Sequence, residues 1–130
     1  MNVELNHTIV HARDKAVSAA FLAGILGLPL RDPWGPFLPV VLTNGVTLDY
    51  VDVGQNEIQP QHYAFLTSDE HFDASLARVR EAGLAYYADP FHQQPNEINH
   101  DYGGRGLYFN DPDGHNMELM TVPYGDAPAH

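Results

Sequence analysis

Cysteine is absent from this 130-residue chain. Disulfides, thiolate-held metals and cysteine nucleophiles are therefore excluded. Any metal must be held by imidazole, carboxylate, amide, carbonyl or water ligands. Basic residues are also scarce, 6 Lys plus Arg against 17 Asp plus Glu, for a formal net charge of −11. Nucleic acid and anionic membrane surfaces both need a basic footprint, so neither is an expected partner. No apolar run approaches membrane-spanning length, and the first residues lack the basic-then-apolar pattern of an export signal. The cytoplasm is the default expectation.

What is present is a globular composition, 44% hydrophobic and 18% charged, long enough to bury a single core. One domain over residues 1–125 is expected, with 126–130 as a short tail ending in His130. Inside that domain the chain repeats itself. The polar stretch Gly54-Gln-Asn-Glu-Ile-Gln-Pro60 reads as a linker, giving one module over 2–54 and another over 60–123.

The two modules run in parallel. The first opens with Val3-Glu-Leu-Asn-His7-Thr-Ile-Val-His11, and alternation puts Leu5, His7, Ile9 and His11 on one strand face. Asp14 then offers an N-cap, Val17, Phe21 and Leu28 recur at near-helical spacing, and Gly27 is a helix stop. The second opens with Gln61-His62-Tyr-Ala-Phe-Leu66, followed by a helix around Asp69 with Phe72, Leu76 and Val79 on one face and Gly83 at its end. Thr67-x-x-Glu70 has capping-box spacing, with Asp69 as the alternative cap. His7 precedes Asp14 by seven residues, as His62 precedes Asp69. Each module closes with a carboxylate four residues after a glycine, Asp49 after Gly45 and Glu118 after Gly114. Asn44-Gly45 and Asp111-Pro-Asp-Gly114 are turn chemistry that suits hairpins.

Each module thus reads as a strand, a helix and then about three strands, an α+β organisation. A sheet covered on one face by its helix leaves the other face open, and two such faces can enclose a cavity. If a pseudo-twofold relates the modules, His7 and His62 meet Asp49 and Glu118 there. Two imidazoles with one or two carboxylates suit one divalent ion, Fe(II), Mn, Co, Ni or Zn. Such a site polarises a carbonyl or enolate, or holds a chelating substrate beside oxygen.

These residues resemble the vicinal oxygen chelate superfamily, the group of glyoxalases, bleomycin-resistance proteins and extradiol dioxygenases. The resemblance covers residues 2–124. Its most specific element is Gly106-Leu-Tyr-Phe-Asn-Asp-Pro-Asp-Gly-His-Asn-Met-Glu118-Leu, and Leu5-Asn-His7 is similar to the family's first metal strand. The resemblance implies two βαβββ modules forming a half-open barrel around a cavity, a homodimer, and metal ligation by His7, His62 and Glu118. A fourth ligand in glyoxalase-like members matches Asp49, which is one methylene shorter than the usual Glu. Tyr108 matches an aromatic position in the closing motif of fosfomycin-resistance enzymes and is a candidate substrate contact. The potassium-binding serine-rich loop of those enzymes is not reproduced by Asn99 to Gly106, and Ile9 stands where they place threonine. His11 stands near the position of the glutathione-binding arginine of glyoxalase I. The expected activity is a metal-dependent lyase, isomerase or dioxygenase on a small oxygenated substrate. The competing expectation is a cavity protein that sequesters an antibiotic or other aromatic ligand without turnover.

Three further residues are candidates. His11 shares a face with His7 and is read as an acid/base group, alongside Glu118 as a displaced carboxylate, or as a buried hydrogen-bonded histidine. His100 and Arg105 lie in the aperiodic stretch from Asp89 to Gly106, where long loops often act as lids. Both are candidate substrate contacts, Arg105 for an anionic group. His92 is expected at the surface.

Overall fold

The computed structural model describes residues 2–124. The expected tail lies outside the described residues. The chain falls into two compact units, Met1–Gln59 and Pro60–His130.

In the first unit, β1 (His7–Ala12) leads into α1 (Lys15–Leu26), then β2 (Phe37–Val41) and β3 (Thr47–Asp52). The sheet order is β1-β3-β2, with β1 parallel and β2 antiparallel to β3. Asp14 caps α1, its side chain accepting from the amides of Ala16 and Val17. Gly27 ends it at φ 69, a left-handed conformation that costs a glycine nothing. The buried stripe of α1 is Ser18, Ala19, Leu22, Ala23, Ile25 and Leu26, a helical i, i+3, i+4 pattern. Val17, read from the sequence as part of that stripe, is exposed. Val10, Ala12, Val40, Leu48 and Tyr50 are the buried apolar strand residues. Alternation sends His7, Ile9 and His11 to the opposite, exposed face.

The second unit repeats the plan. β4 (His62–Leu66) is followed by α2 (Asp69–Glu81), a short 3₁₀ turn (Asp101–Gly103), β5 (Gly106–Asn110) and β6 (Asn116–Met120). The order β4-β6-β5 and the strand directions match those of the first sheet. Neither Thr67 nor Asp69 caps α2. Ser68 does, its hydroxyl accepting from the His71 amide, because the capping side chain must lie one residue outside the first helical turn. Phe72, Leu76 and Val79 are buried as expected.

The sequence reading expected about three strands after each helix, and two form. Before β2 the chain carries Pro29, Pro33 and Pro36, which lack ladder donors. Only an isolated Trp34–Phe37 bridge forms there. In the second unit isolated bridges stand in place of the missing strand: Tyr87 with Tyr108, closed by two backbone bonds of 2.8 and 2.9 Å, Tyr87 with Pro95, and Asn99 with Gly106. Pro90 and Pro95 follow Tyr87.

Candidate metal centre

The ladder registers carry the repeat from sequence into space. In the first unit Ile9 pairs with Asp49, so His7 lies two residues before the carboxylate's partner. In the second unit Ala64 pairs with Glu118, and His62 again lies two residues before. Parallel neighbours point to one face. Each sheet therefore presents one histidine and one carboxylate on the face opposite its helix.

In the second unit those side chains meet. His62 Nε2 is 2.8 Å from Glu118 Oε1. The histidine side chain is 46% exposed and the carboxylate only 2%. Glu118 Oε2 is buried and has no hydrogen-bond partner. Orphaned buried carboxylate oxygens are costly and need an explanation. A cation supplies one. Two donors 2.8 Å apart fit along one edge of a coordination sphere whose N and O bonds are about 2.0–2.2 Å. The residues thus fit a divalent ion. Within neither unit do three His, Asp or Glu side chains cluster, among the described residues, so this pair is a two-point portion of any complete ligand set.

Tyr108 stands directly opposite Glu118 across the β5–β6 ladder. Its ring lies edge-on to His62 at 5.9 Å. Burial above all, then the nearby charge of Glu118, push the Tyr108 phenol well above its ordinary value. The hydroxyl also lies 2.9 Å from that of Tyr124, a residue the sequence reading did not single out. Tyr124 in turn packs on Tyr102 at 5.1 Å, and Tyr102 holds a left-handed φ of 56.

The turn before β6 positions the centre. Gly114, at φ 86, allows the Asp111 carboxylate to accept from the amides of Asp113 and His115. Burial raises the Asp111 carboxyl above its ordinary value. His115 is buried, and its Nδ1 accepts from the Gln61 amide at 3.0 Å. That bond ties the turn to the residue preceding His62. The sequence offered no signal for it beyond a polar ring inside a turn motif.

Each of the other expected residues has its own surroundings within its unit. His7 is exposed, its Nδ1 2.8 Å from Asn6 Oδ1. His11 is exposed on the same strand face, against the alternative of a buried histidine. Asp49 is 8% exposed although its register places it on that open face. His100 is exposed at the start of the 3₁₀ turn. Arg105 is engaged already, forked onto Asp69 at 3.0 Å and Asp73 at 2.6 Å with its guanidinium over the Phe72 ring. An anionic ligand would compete with two carboxylates there. His92 is half-buried rather than a plain surface residue. It stacks on Tyr87 at 4.2 Å and bonds Asn116, with φ 58.

Two α+β units of one topology, each presenting a histidine and a carboxylate on the sheet face away from the helix, define a class of proteins built from two copies of one module. Comparison with known proteins makes the class specific. No protein-family profile matches the chain. It is 33% identical over 123 residues to the glutathione transferase FosA of Serratia marcescens, covering 88% of this chain and 78% of that one. Its structure superposes on the oxidase ChaP-H2 with a TM-score of 0.93 at 58% identity, covering 98% of this chain and all of that one. A glyoxalase/dioxygenase from Nostoc punctiforme shares the fold at a TM-score of 0.71 and 22% identity, over 93% of this chain and 92% of that one. The chain belongs to the vicinal oxygen chelate superfamily, the glyoxalase/bleomycin resistance/dioxygenase group. Among the described residues no helix is long and apolar enough to cross a membrane.

Proposed function

We propose that this chain is an oxygen-using, metal-dependent oxidase acting on a small substrate with adjacent oxygen atoms. The observation that carries the reading is the His62–Glu118 pair with its orphaned buried oxygen. It occurs in a chain 58% identical to an oxidase over 98% of its length. In this reading His62 and Glu118 hold one divalent ion together with His7, supplied by the same chain or by a second copy in a homodimer. Two imidazoles and one carboxylate suit Fe(II) and admit Mn, Co, Ni or Zn. The bound ion supplies open positions where oxygen and substrate meet.

The protein residues do the rest. Asp49, one methylene short of the usual glutamate, stands off the ion in this reading and takes a substrate proton. His11, on the His7 face, passes that proton towards solvent. The Tyr108 hydroxyl orients a substrate oxygen, and its raised pKa keeps it a donor. His100 contacts substrate at the rim, while Arg105 secures α2.

Metal analysis tests the ligand set. Wild-type protein is expected to hold stoichiometric metal, and His7→Ala, His62→Ala and Glu118→Ala to lose it. Unchanged metal content in all three ends the reading. Asp49→Asn is expected to keep the metal and lose turnover, read as oxygen uptake by Fe(II)-loaded protein over a panel of catechols and hydroxyketones. Loss of metal in Asp49→Asn instead makes Asp49 a fourth ligand and favours a glyoxalase-like lyase or isomerase. Aromatic ligand binding that needs no metal and consumes no oxygen favours sequestration without turnover. The likeness to FosA supports a thiol-transfer reading less strongly, at 33% identity, and glutathione consumption in the same panel tests it.

A further inference from the structure

His92 lies against the open face of the second sheet, where both of its anchors stand. Tyr87 is directly opposite Tyr108. Opposed neighbours share a face, so the Tyr87 ring lies on the side of Tyr108, Glu118 and His62. Tyr86, one residue earlier, is buried on the other side and bonded to Arg80 of α2. Asn116 is two residues before Glu118 on β6 and pairs with His62. The His92 ring stacks on Tyr87 at 4.2 Å, 3° from parallel, and its Nε2 is 2.9 Å from Asn116 Oδ1. It therefore reaches from beyond β5 across to β6, beside the candidate ligands.

The turn that carries it is closed. The Asp89 carboxylate accepts from the Gln93 and Gln94 amides at 2.8 Å, and the Asp89 carbonyl from the His92 amide at 3.2 Å. Within this turn His92 holds a left-handed φ of 58. Such strain persists where the surroundings over-determine it, often beside functional sites. The bonds also fix the protons of the ring. Asn116 Nδ2 donates to the Pro90 carbonyl at 3.2 Å. A carbonyl only accepts, so the amide oxygen of Asn116 faces His92, and Nε2 must donate to it. In the neutral ring Nδ1 is then a bare acceptor. No other hydrogen bond reaches that ring among the described residues.

We propose that His92 is a specificity-determining substrate contact, its Nδ1 accepting from a hydroxyl that an aromatic substrate carries beyond its metal-chelating pair of oxygens. The inference rests on the metal-dependent function proposed above. Flat surroundings favour a planar ring, since Tyr87 and His92 are stacked and Tyr108 stands edge-on to His62. The spacing favours a single ring between the two contacts. Asn116 and Glu118, two residues apart on one strand, are separated by about 7 Å, close to the span of an aromatic ring with hydroxyls on both sides.

The test compares catechol with pyrogallol, which adds one hydroxyl, as ligands of the Zn(II)-loaded protein in anaerobic calorimetry. Zn(II) is redox-inert, so binding is read without turnover. His92→Gly removes the imidazole, and glycine takes φ 58 without strain. Wild type is expected to prefer pyrogallol, and His92→Gly to lose about 3–10-fold of that preference, the worth of one hydrogen bond. Taking the ratio within each protein cancels what the extra hydroxyl does at the metal. An unchanged preference in folded His92→Gly overturns the proposal. Nitrogen NMR of the histidine rings in wild type, in mildly alkaline buffer, needs no variant. His92 Nδ1 is expected to be unprotonated and to shift more with pyrogallol than with catechol. A protonated Nδ1, or equal shifts, overturns the proposal even if His92→Gly fails to fold. Metal content of the same samples separates the two readings. Wild type that holds Zn(II) but binds neither phenol overturns this proposal alone. Wild type that takes up no Zn(II) ends the function reading and this proposal with it.

Discussion

Glu118→Gln is expected to make the metal-free protein more stable and the metal-loaded protein less so. The wild-type side chain is 2% exposed, with one oxygen on His62 and the other unpartnered. An unsatisfied buried polar group costs about 1–3 kcal/mol, and more if it is charged. Glutamine keeps the shape and an oxygen for His62 but removes the charge, so a gain of about 1 kcal/mol is expected. For a chain of this size that raises the melting temperature by about 2–8 °C. Metal reverses the order. At a hundredfold excess over its dissociation constant, a ligand bound only by the native state adds about 2.7 kcal/mol. Wild type gains that amount, and the variant, lacking an anionic ligand, gains little. Thermal melts of both proteins, with and without Co(II), are the assay. The crossing of the two curves is the signature. A variant that melts below wild type without metal, or that shows the same metal-induced rise, refutes the reasoning.

Three other outcomes are expected. His115→Ala strips the Gln61 amide of its buried acceptor, so stability should fall by about 1–3 kcal/mol in urea denaturation, with Co(II) affinity falling as His62 loses its anchor. Phe72→Ala empties a fully buried site in the core of the second unit and should cost about 3–5 kcal/mol by the same measurement. Arg105→Gln bears on pH dependence. The hydrogen bond from Arg105, followed by its charge, holds the Asp73 carboxyl below its ordinary value. A depressed carboxylate adds stability above its unfolded pKa and loses it as pH falls through the folded one. The acid limb of the stability–pH curve should therefore flatten in Arg105→Gln, with turnover near wild type; a steep loss of turnover would return Arg105 to the substrate contacts.

Much of the fold was legible because local rules agree with one another. Asp14 and Gly27 bound α1 as their capping chemistry requires, and Phe72, Leu76 and Val79 face inward at helical spacing. The Asn-Gly and Asp-Pro-Asp-Gly turns lie where hairpins need them, with Gly45 at φ 88 and Gly114 at φ 86. The errors fall where local signals compete. Ser68, Thr67 and Asp69 are all capping types, and only the entry of the chain into α2 chooses Ser68. About three strands were expected after each helix, and in the proline-bearing stretches before β2 and β5 only isolated bridges form.

The sequence by itself determined which residues can do chemistry. With no cysteine, and with His7 and His62 in equivalent places before Asp49 and Glu118, the spacing raises the expectation of an imidazole–carboxylate centre. Tertiary structure decided which groups meet. Parallel pairing of β4 with β6 brings His62 against Glu118 across 56 residues of chain. It buries one carboxylate oxygen without a partner and draws in Tyr124 through Tyr108. It also commits Arg105 to Asp69 and Asp73. Periodicity reports which face a side chain takes, because that is set by its own backbone. Hydrogen-bond partners come from distant segments, and only the register between strands fixes which of them come within 3 Å.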